Sequence, residues 1–392
     1  MGLIENYTAV AIVLSALAPV WLKVLRRPSG YLALSTIVAI VAYRGRIAGY
    51  LFWIVALFAL TRAIERFAKV GNRSWLNRWS LSCAAMFAVL MVYAAGALGM
   101  IRGAQIGLLG ISFVLPTHDM WLLVRTLSFL WESGAGRIKE NRLVPYATWI
   151  VLPFTVSGPL LRYGEFIPQY HPESEKSHLA GTVRNRDWWM KLALAAVQIA
   201  IGVALNYLSE TITASGTRWT KALIIFVTGP WGFYLGASGL FHLMECLAML
   251  WGIELPPSFN WPFGQRNLAE FWNRWNMTVT RVCRDYLFYN RWGFKRANIY
   301  VNTMLLFLAV GLWHDMNLYW GSWGMLHGIG FCIYLWYRTH KEQFAFATSL
   351  GSERVRAIVS ASATYVFVCL CWYVATKISL LLHHGPLPNH LH

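Results

Sequence analysis

Polar, basic and apolar segments follow one another between Phe263 and Gly330, a stretch that reads FGQRNLAEFWNRWNMTVTRVCRDYLFYNRWGFKRANIYVNTMLLFLAVGLWHDMNLYWGSWGMLHGIG. Its first half, Gly264–Arg296, is polar and strongly basic. Its second half predicts an apolar helix over Ile299–Trp313 that ends on His314, and then a second apolar helix with His327 in its middle. Ionisable groups at membrane depth are costly, so they mark a functional site by default.

The composition of the whole chain predicts a helical membrane protein. Of its 392 residues, 57% are hydrophobic and only 13% are charged, whereas a soluble domain has about 25% charged residues. Several apolar runs approach the ~20 residues that cross a bilayer as a helix. We expect an all-α polytopic fold that forms a single membrane-embedded domain, with about ten or eleven membrane segments.

The charge and the cysteines narrow the class of function. The net charge is +17, which the positive-inside rule explains by basic loops on the cytoplasmic face, where they also meet anionic membrane lipids. The chain contains no nucleic-acid-binding module, so we expect no nucleic-acid partner. Its six cysteines are scattered without the spacing of a zinc site, and we expect no metal.

Several apolar runs carry specific expectations. Ala9–Leu25 predicts a spanning helix and Tyr31–Tyr43 a shorter segment, and the histidine-containing tail, residues 383–392, predicts disorder. Gln105–Leu115 and Met120–Trp131 flank a break that begins at Pro116, which suggests two half-helices or a helical hairpin.

Proline residues predict interruptions in two further runs. Val144–Leu161 contains three prolines, so we expect it to enter and leave the protein interior. Ala222–Gly252 contains Gly229 and Pro230, which predicts two segments.

The basic segment holds a pattern typical of an amphipathic helix. On a helix over Phe271–Arg284, Trp272 and Asn276 would share one face. Arg281 and Arg284 would lie on a basic stripe at the cytoplasmic surface. The stripe is compatible either with an interfacial anchor or with binding of phosphate groups, which guanidinium groups hold in forked pairs.

The two histidines leave three roles open on their residues alone. An interior histidine can be a satisfied core residue, a metal ligand or a general base. Apart from Asp315, which directly follows His314 and would point away from it, no carboxylate lies at metal-ligand spacing from either histidine, and no nucleophile elbow is present.

Three motifs together resemble the membrane-bound O-acyltransferase family. They are SGPLLRYGEFIPQ (Ser157–Gln169), LPPSFNWPFGQRNLAEFWNRWNMTVTRVCRDYLF (Leu255–Phe288) and GLWHDMNLYWGSWGMLHG (Gly311–Gly328). Their order and spacing match over roughly residues 155–330, which would form the catalytic core. The resemblance is closest to the bacterial branch that acetylates alginate and other exopolysaccharides.

This resemblance implies helices around a central tunnel and direct acyl transfer in a bacterial inner membrane. The expected donor is a cytoplasmic acyl-CoA or other thioester, with acetyl-CoA the first candidate and no tightly bound cofactor. The expected acceptor is a hydroxyl of an exported polysaccharide or cell-envelope glycan, and a periplasmic SGNH-type protein is an expected partner.

The resemblance also assigns roles to individual residues. His314 matches the family's catalytic histidine, Asn276 the polar residue paired with it, and His327 a second histidine of the bacterial branch. Phosphates of the donor would meet Arg281 and Arg284, and the donor site would include Trp272 and Trp275.

The sequence departs from the family pattern in ways that keep other functions open. Asn276 stands where the polysaccharide branch usually has histidine, and Asp315 follows His314 where glycine is usual. Asparagine at that place is commoner in branches that acylate lipids and proteins, so a lipid, protein or small-molecule acceptor is the alternative. A transporter or glycan-passage subunit is a third hypothesis, although no internal repeat of the kind typical of transporters is present.

Overall fold

Helices make up most of the chain in the computed structural model. It describes residues 47–68, 74–97, 105–108, 111–114, 119–138, 141–152, 158–170, 185–215, 217–288, 298–344 and 352–382. The segments predicted at Ala9–Leu25 and Tyr31–Tyr43 and the tail at 383–392 lie outside the described residues.

Four of the described helices are long and apolar enough to cross a membrane. These segments are Arg78–Gly96, Arg186–Ser209, Phe226–Leu250 and Glu353–Ser379, and the apolar helix Ile299–His314 is shorter. The prediction of a helical, integral membrane protein is therefore confirmed.

The chain divides into two units, Met1–Ala195 with Leu240–Pro256, and Ala196–Gly239 with Pro257–His392. Among the described residues, the helices that lie wholly within the first unit are α1 (Ile47–Ala68), α2 (Ser74–Ala97), α3 (Met120–Gly134), α4 (Leu143–Val151) and the short α5 (Tyr163–Phe166). A single 3-10 turn, Ile167–Gln169, follows α5.

Aromatic rings form the centre of the first unit. The Phe129 ring lies 4.5 Å from that of Tyr146 and 5.0 Å from that of Tyr163. The Trp149 indole donates a hydrogen bond of 2.9 Å to the Leu161 carbonyl. As the prolines predict, α4 stops at Val151 because the residue before a proline disfavours helical geometry.

One stretch of the first unit corrects the sequence-based expectation. Gln105–Leu115 does not form a half-helix; it contains the antiparallel strands β1 (Gln105–Leu108) and β2 (Ile111–Val114). Gly107 and Gly110 weaken a helix, whereas the β-branched Ile106, Ile111 and Val114 favour strands. Residues 115–118 of the following break lie outside the described residues, and α3 begins after Asp119, whose carboxylate accepts the Leu122 N–H at 2.8 Å.

Two long helices follow, α6 (Arg186–Ser215) and α7 (Arg218–Leu250). The prediction that Pro230 divides the second of them is wrong, because α7 is continuous through the proline. Pro230 lacks the N–H that would bond to the Phe226 carbonyl, and two side-chain hydroxyls donate to other carbonyls of this part of the helix. The Tyr365 hydroxyl donates to the Val227 carbonyl at 2.8 Å, and the Thr228 hydroxyl donates to the Ile224 carbonyl at 2.8 Å.

The remaining helices of the second unit carry the second and third of the motifs quoted above. They are α8 (Leu268–Trp272), α9 (Met277–Val282), the π-helical turn Cys283–Phe288, α10 (Ile299–His314), α11 (Leu318–His340), the 3-10 turn Lys341–Phe344 and α12 (Glu353–Leu382).

Two glycines allow α10 and α11 to approach each other closely. A Cβ atom on Gly311 would meet the Trp320 carbonyl oxygen, and one on Gly324 would meet the Phe307 carbonyl oxygen. Larger residues at these points would push the helices apart. This crossing therefore fixes the separation of the helices that carry His314 and His327.

Candidate active site

The basic segment is not the single amphipathic helix that its pattern predicts. The stretch Phe271–Arg284 contains the end of α8, a break at residues 273–276, the whole of α9 and the start of the π-helical turn. Trp272 and Asn276 therefore do not share a helical face, and the expected basic stripe is interrupted. Asparagine is a weak helix former, and two asparagines, Asn273 and Asn276, stand in the break.

Asn276 occupies a left-handed backbone conformation, with φ 37° and ψ 58°. Asparagine tolerates this region better than most residues. Hydrogen bonds to a neighbouring connector hold the break in place: Met277 N–H donates to the Ser258 carbonyl at 2.7 Å, and Asn260 N–H donates to the Arg274 carbonyl at 3.0 Å. The Thr278 hydroxyl donates to the Asn276 side-chain oxygen at 3.2 Å, which orients the amide.

The tryptophans of this segment are part of a packed aromatic group. The rings of Phe271 and Trp275 stack with centroids 5.5 Å apart. The Thr280 hydroxyl lies within hydrogen-bond distance of the Trp272 and Trp275 carbonyls, at 3.4 and 3.3 Å. The break after α8 is thus a defined turn, closed by side-chain and backbone hydrogen bonds.

His314 is the last residue of α10. Asp315, directly after it, is extended (φ −167°, ψ 143°), which ends the helix. The next helix is capped by Asn317, whose side-chain oxygen accepts the Trp320 N–H at 3.0 Å. The His314 ring stacks on the Trp320 ring with centroids 4.3 Å apart, and lies edge-on to the Trp323 ring at 5.7 Å.

One cavity of about 330 Å³ brings most of the candidate residues together. Its size is within the range of small-molecule sites, which are mainly apolar with a few convergent polar groups. The residues that sequence reasoning singled out and that line it are Trp272, Trp275, Asn276, Arg284 and His314. Apolar side chains of α10 and α11, among them Phe307 and Leu335, supply much of the remaining wall.

Two predicted site residues do not line this cavity, and one unpredicted residue does. Neither Arg281 nor His327 contributes to its wall, whereas Arg338, in the last turn of α11, does. Arg284 and Arg338 thus give the cavity two guanidinium groups. The sequence signal for Arg338 was its position at the end of an apolar helix, but nothing linked it to Arg284, which lies 54 positions earlier by their numbers.

His327 lies in a second, smaller cavity of about 10 Å³ in the same unit. Trp272 and Trp275 line both cavities. His314 and His327 therefore line different cavities, and Trp272 and Trp275 form part of the wall of both.

The cavity also contains a thiol, Cys283, beside Arg284. Burial raises the pKa of the Cys283 thiol to about 12, so the thiol stays protonated at neutral pH. A thiolate is the nucleophilic form of cysteine, which argues against a covalent cysteine intermediate. No group of three His, Cys, Asp or Glu side chains suited to a metal ion occurs among the described residues.

Comparison with known proteins assigns the stretch that contains this site. A model of the membrane-bound O-acyltransferase family matches residues 75–373. The chain is 24% identical to a peptidoglycan O-acetyltransferase of Helicobacter pylori over 245 residues, which are 59% of this chain and 44% of that protein. It is 25% identical to a probable alginate O-acetylase of Pseudomonas putida over 226 residues, 56% of this chain and 46% of that protein.

A third relative is matched over more of its length. The chain is 24% identical over 290 residues to a teichoic acid D-alanyltransferase of Bacillus subtilis, which are 69% of this chain and 72% of that protein. Against the Helicobacter and Pseudomonas proteins, by contrast, the match spans less than half of the relative's length.

Proposed function

This chain belongs to the membrane-bound O-acyltransferase family, and from that membership we propose that it transfers an acyl group, first of all acetyl, from a cytoplasmic acyl-CoA to a hydroxyl of an exported polysaccharide or cell-envelope glycan. The observation that carries the proposal is that His314 and Asn276, which lie 38 positions apart by their numbers, line one cavity. Both lie within the stretch matched by the family model.

The proposed reaction is direct transfer with His314 as general base. A ring nitrogen of His314 takes the proton of the acceptor hydroxyl while that oxygen attacks the thioester carbonyl carbon. The C–S bond then breaks, and the departing thiolate receives the proton from the imidazolium. Positioned base catalysis of this kind typically contributes about 10²–10⁴-fold in rate.

Asn276 has the chemistry to stabilise the negative charge that develops on the carbonyl oxygen. Its amide N–H₂ group donates hydrogen bonds, and Thr278 already holds its side-chain oxygen at 3.2 Å. That bond turns the amide so that its donor group is free for another partner. A pre-oriented donor is the type of group that stabilises an oxyanion.

The basic and apolar parts of the cavity fit two parts of an acyl-CoA. Arg284 and Arg338 would meet its phosphates, because guanidinium groups pair with phosphate oxygens. The apolar wall, with Trp272 and Trp275, would hold the pantetheine arm. Arg281, which the sequence also nominates for donor binding, lies in the same turn of α9 as the cavity residue Thr280 without lining the cavity itself.

The acceptor class is proposed from the relatives. Their names concern peptidoglycan, alginate and teichoic acid. We accordingly propose a place in a bacterial inner membrane with the basic loops cytoplasmic, and an SGNH-type protein as a periplasmic partner. The second candidate, a lipid, protein or small-molecule acceptor, is favoured by one observation: the residue in the cavity is Asn276 rather than histidine.

The test is a pair of strains that express the wild-type chain or His314→Ala, with His340→Ala as the matched control. His340 is a partly buried histidine at the end of α11 that stacks on Trp336. Mass spectrometry of envelope glycans and lipids should show acyl groups lost only in His314→Ala. Loss from lipids alone would favour the second candidate, and no difference in any fraction would contradict the acyltransferase proposal.

The same variants separate catalysis from folding in purified protein. With acetyl-CoA as donor, His314→Ala should lower turnover by roughly 10²–10⁴-fold while its thermal unfolding stays close to wild type. Near-normal turnover in a well-folded His314→Ala protein would remove His314 from the role of base.

A further inference from the structure

His327 is fully buried in the middle of α11, inside a group of aromatic rings. The centroid of its ring lies 4.5 Å from that of Trp323, 5.0 Å from that of Trp272, 5.8 Å from that of Phe367 and 6.2 Å from that of Phe307. These contacts surround an imidazole, which has two hydrogen-bonding nitrogens, with hydrocarbon.

Three side chains at this place have polar atoms without a hydrogen-bond partner among the described residues. The atoms are both ring nitrogens of His327 and the indole N–H groups of Trp272 and Trp323, and all of them are buried from solvent. A buried polar group without a partner is costly, and native proteins pair such groups with protein or with ordered water. Three such residues in direct ring contact require a common explanation.

All three residues line the cavity of about 10 Å³. That volume is about the space that one water molecule needs, and a buried water is held by two to four polar partners. The two indoles can only donate, whereas a neutral imidazole offers one donor and one acceptor. A single water molecule can accept from both indoles and donate to one ring nitrogen of the imidazole, so it would supply a partner for three of these four polar atoms.

We propose that His327, Trp272 and Trp323 form a binding site for one water molecule, and that this water fixes the two tryptophans beside the acyl-transfer cavity. Trp272 lines both cavities. Trp323 contacts both histidines, at 5.7 Å from the His314 ring and 4.5 Å from the His327 ring. His327 is thus a positioning residue, and this second part of the inference rests on the proposed function.

The water site itself is tested without any measurement of activity. Protein labelled with ¹⁵N-tryptophan gives one indole N–H signal per tryptophan, and the signals of Trp272 and Trp323 are identified by their loss in Trp272→Phe and Trp323→Phe. In wild-type protein, both signals should show magnetisation transfer from a long-lived water. The absence of this transfer at both indoles would overturn the proposal, because it would mean a dry cavity.

Variants of His327 then test its part in the site. His327→Leu should abolish the transfer from water at both indoles, and His327→Gln, which keeps a donor and an acceptor, should retain it. The control is His340→Leu, which removes a histidine stacked on Trp336 in the same helix and should change neither signal. Retention of the water signal in a folded His327→Leu protein would assign the site to the tryptophans alone and contradict the role of His327.

The positioning role is read from turnover of acetyl-CoA by the purified variants. His327→Leu should lower kcat by at least tenfold with little change in KM, and His327→Gln should recover most of the loss. A role in packing alone predicts the reverse order, because leucine fills an apolar site better than glutamine does. If the wild-type protein does not transfer acetyl groups at all, the proposed function fails. The indole signals still decide whether the water site exists.

Discussion

The imidazole of His314 lies flat against the indole of Trp320, with ring centroids 4.3 Å apart and an angle of 17° between the ring planes. His314 is the last residue of α10, and Trp320 is in the first turn of α11. The Asn317 side chain caps that turn by accepting the Trp320 N–H at 3.0 Å. The residue that ends one helix is therefore oriented by a residue that begins the next.

The stack predicts that Trp320→Leu slows catalysis without weakening donor binding. Aromatic pairs contribute about 0.5–1.5 kcal/mol beyond their buried area, so loss of orientation should lower kcat roughly 2- to 12-fold. Steady-state kinetics with acetyl-CoA would measure the change. Trp336→Leu is the matched control, since Trp336 stacks on His340 instead, and equal losses in both variants would show a general effect on α11.

Because Asn276 has a left-handed backbone, its side-chain amide can be tested separately from its backbone conformation. Glycine adopts a φ of 37° without strain, so Asn276→Gly removes the side-chain amide and keeps the backbone conformation. It should lower kcat about 10²–10³-fold, the usual effect of losing an oxyanion donor. Asn276→Ala should lose a similar factor and in addition about 1 kcal/mol of stability, because alanine is strained in this region.

A third variant tests whether the hydrogen bond from Thr278 orients the side-chain amide of Asn276. Thr278→Val removes the hydroxyl that bonds to the Asn276 side-chain oxygen and keeps the shape of the side chain. Its kcat should lie between those of wild type and Asn276→Gly. If Asn276→Gly keeps normal turnover, the asparagine acts through the backbone alone, and the oxyanion role is wrong.

The class of the protein could be predicted from sequence because it depends on composition and on the length of apolar runs. The end of α10 at His314 was also predictable, since a polar pair interrupts an apolar run there. The strands at Gln105–Val114 were missed because a short apolar run fits a helix and a strand equally well by its length. The continuity of α7 through Pro230 was missed because proline is normally a helix breaker, and the hydrogen bond from Tyr365 to the Val227 carbonyl in the turn before it comes from a distant residue that no local pattern reveals.

The site could be predicted only in part, for a related reason. The family motifs led to His314 and Asn276, but the shape of the Phe271–Arg284 segment depends on hydrogen bonds to the 258–260 connector. Periodicity alone predicted one helix there, and it therefore wrongly placed Trp272 and Asn276 on the same helical face. Arg338 joins the site because α10 packs on α11, and a tertiary contact of this kind leaves no signature in either helix.

Arg284 and Arg338, the two arginines that line the cavity, lead to a prediction about the KM for the acyl donor. Arg284→Ala and Arg338→Ala should each raise the KM for acetyl-CoA about 2- to 10-fold with little change in kcat. Contacts to a remote phosphate stabilise ground and transition states alike, and half-exposed ion pairs are weak. With acetyl-pantetheine, which lacks the nucleotide phosphates, the variants and wild type should have the same KM.

Two comparisons make this prediction sharp. Arg281→Ala should change KM less than Arg284→Ala, because Arg281 does not line the cavity. Arg266→Ala is the control. The Arg266 guanidinium pairs with the Glu353 carboxylate at 3.4 Å, and neither residue lines the cavity. An equal rise in all four variants would indicate a general electrostatic attraction and not a phosphate site.

The crossing of α10 and α11 predicts which glycines of this region the fold requires. A Cβ at Gly324 would meet the Phe307 carbonyl oxygen, and one at Gly311 the Trp320 carbonyl oxygen, so backbone would have to move. Overpacking typically costs about 1–3 kcal/mol. Gly324→Ala and Gly311→Ala should therefore lower the Tm of the purified protein, and lower turnover as well, because Trp320 and Trp323 move with the helix.

Gly321 provides the matched control in the same helix. A Cβ there would meet only the Leu312 side chain at 3.6 Å, an ordinary van der Waals contact. Alanine is the better helix former by about 0.5–1 kcal/mol, so Gly321→Ala should keep the Tm of wild type or raise it. The decisive measurement is thermal unfolding of the three alanine variants side by side. If Gly324→Ala is as stable as Gly321→Ala, the two helices are not held at backbone contact, and another interaction must set the positions of His314 and His327.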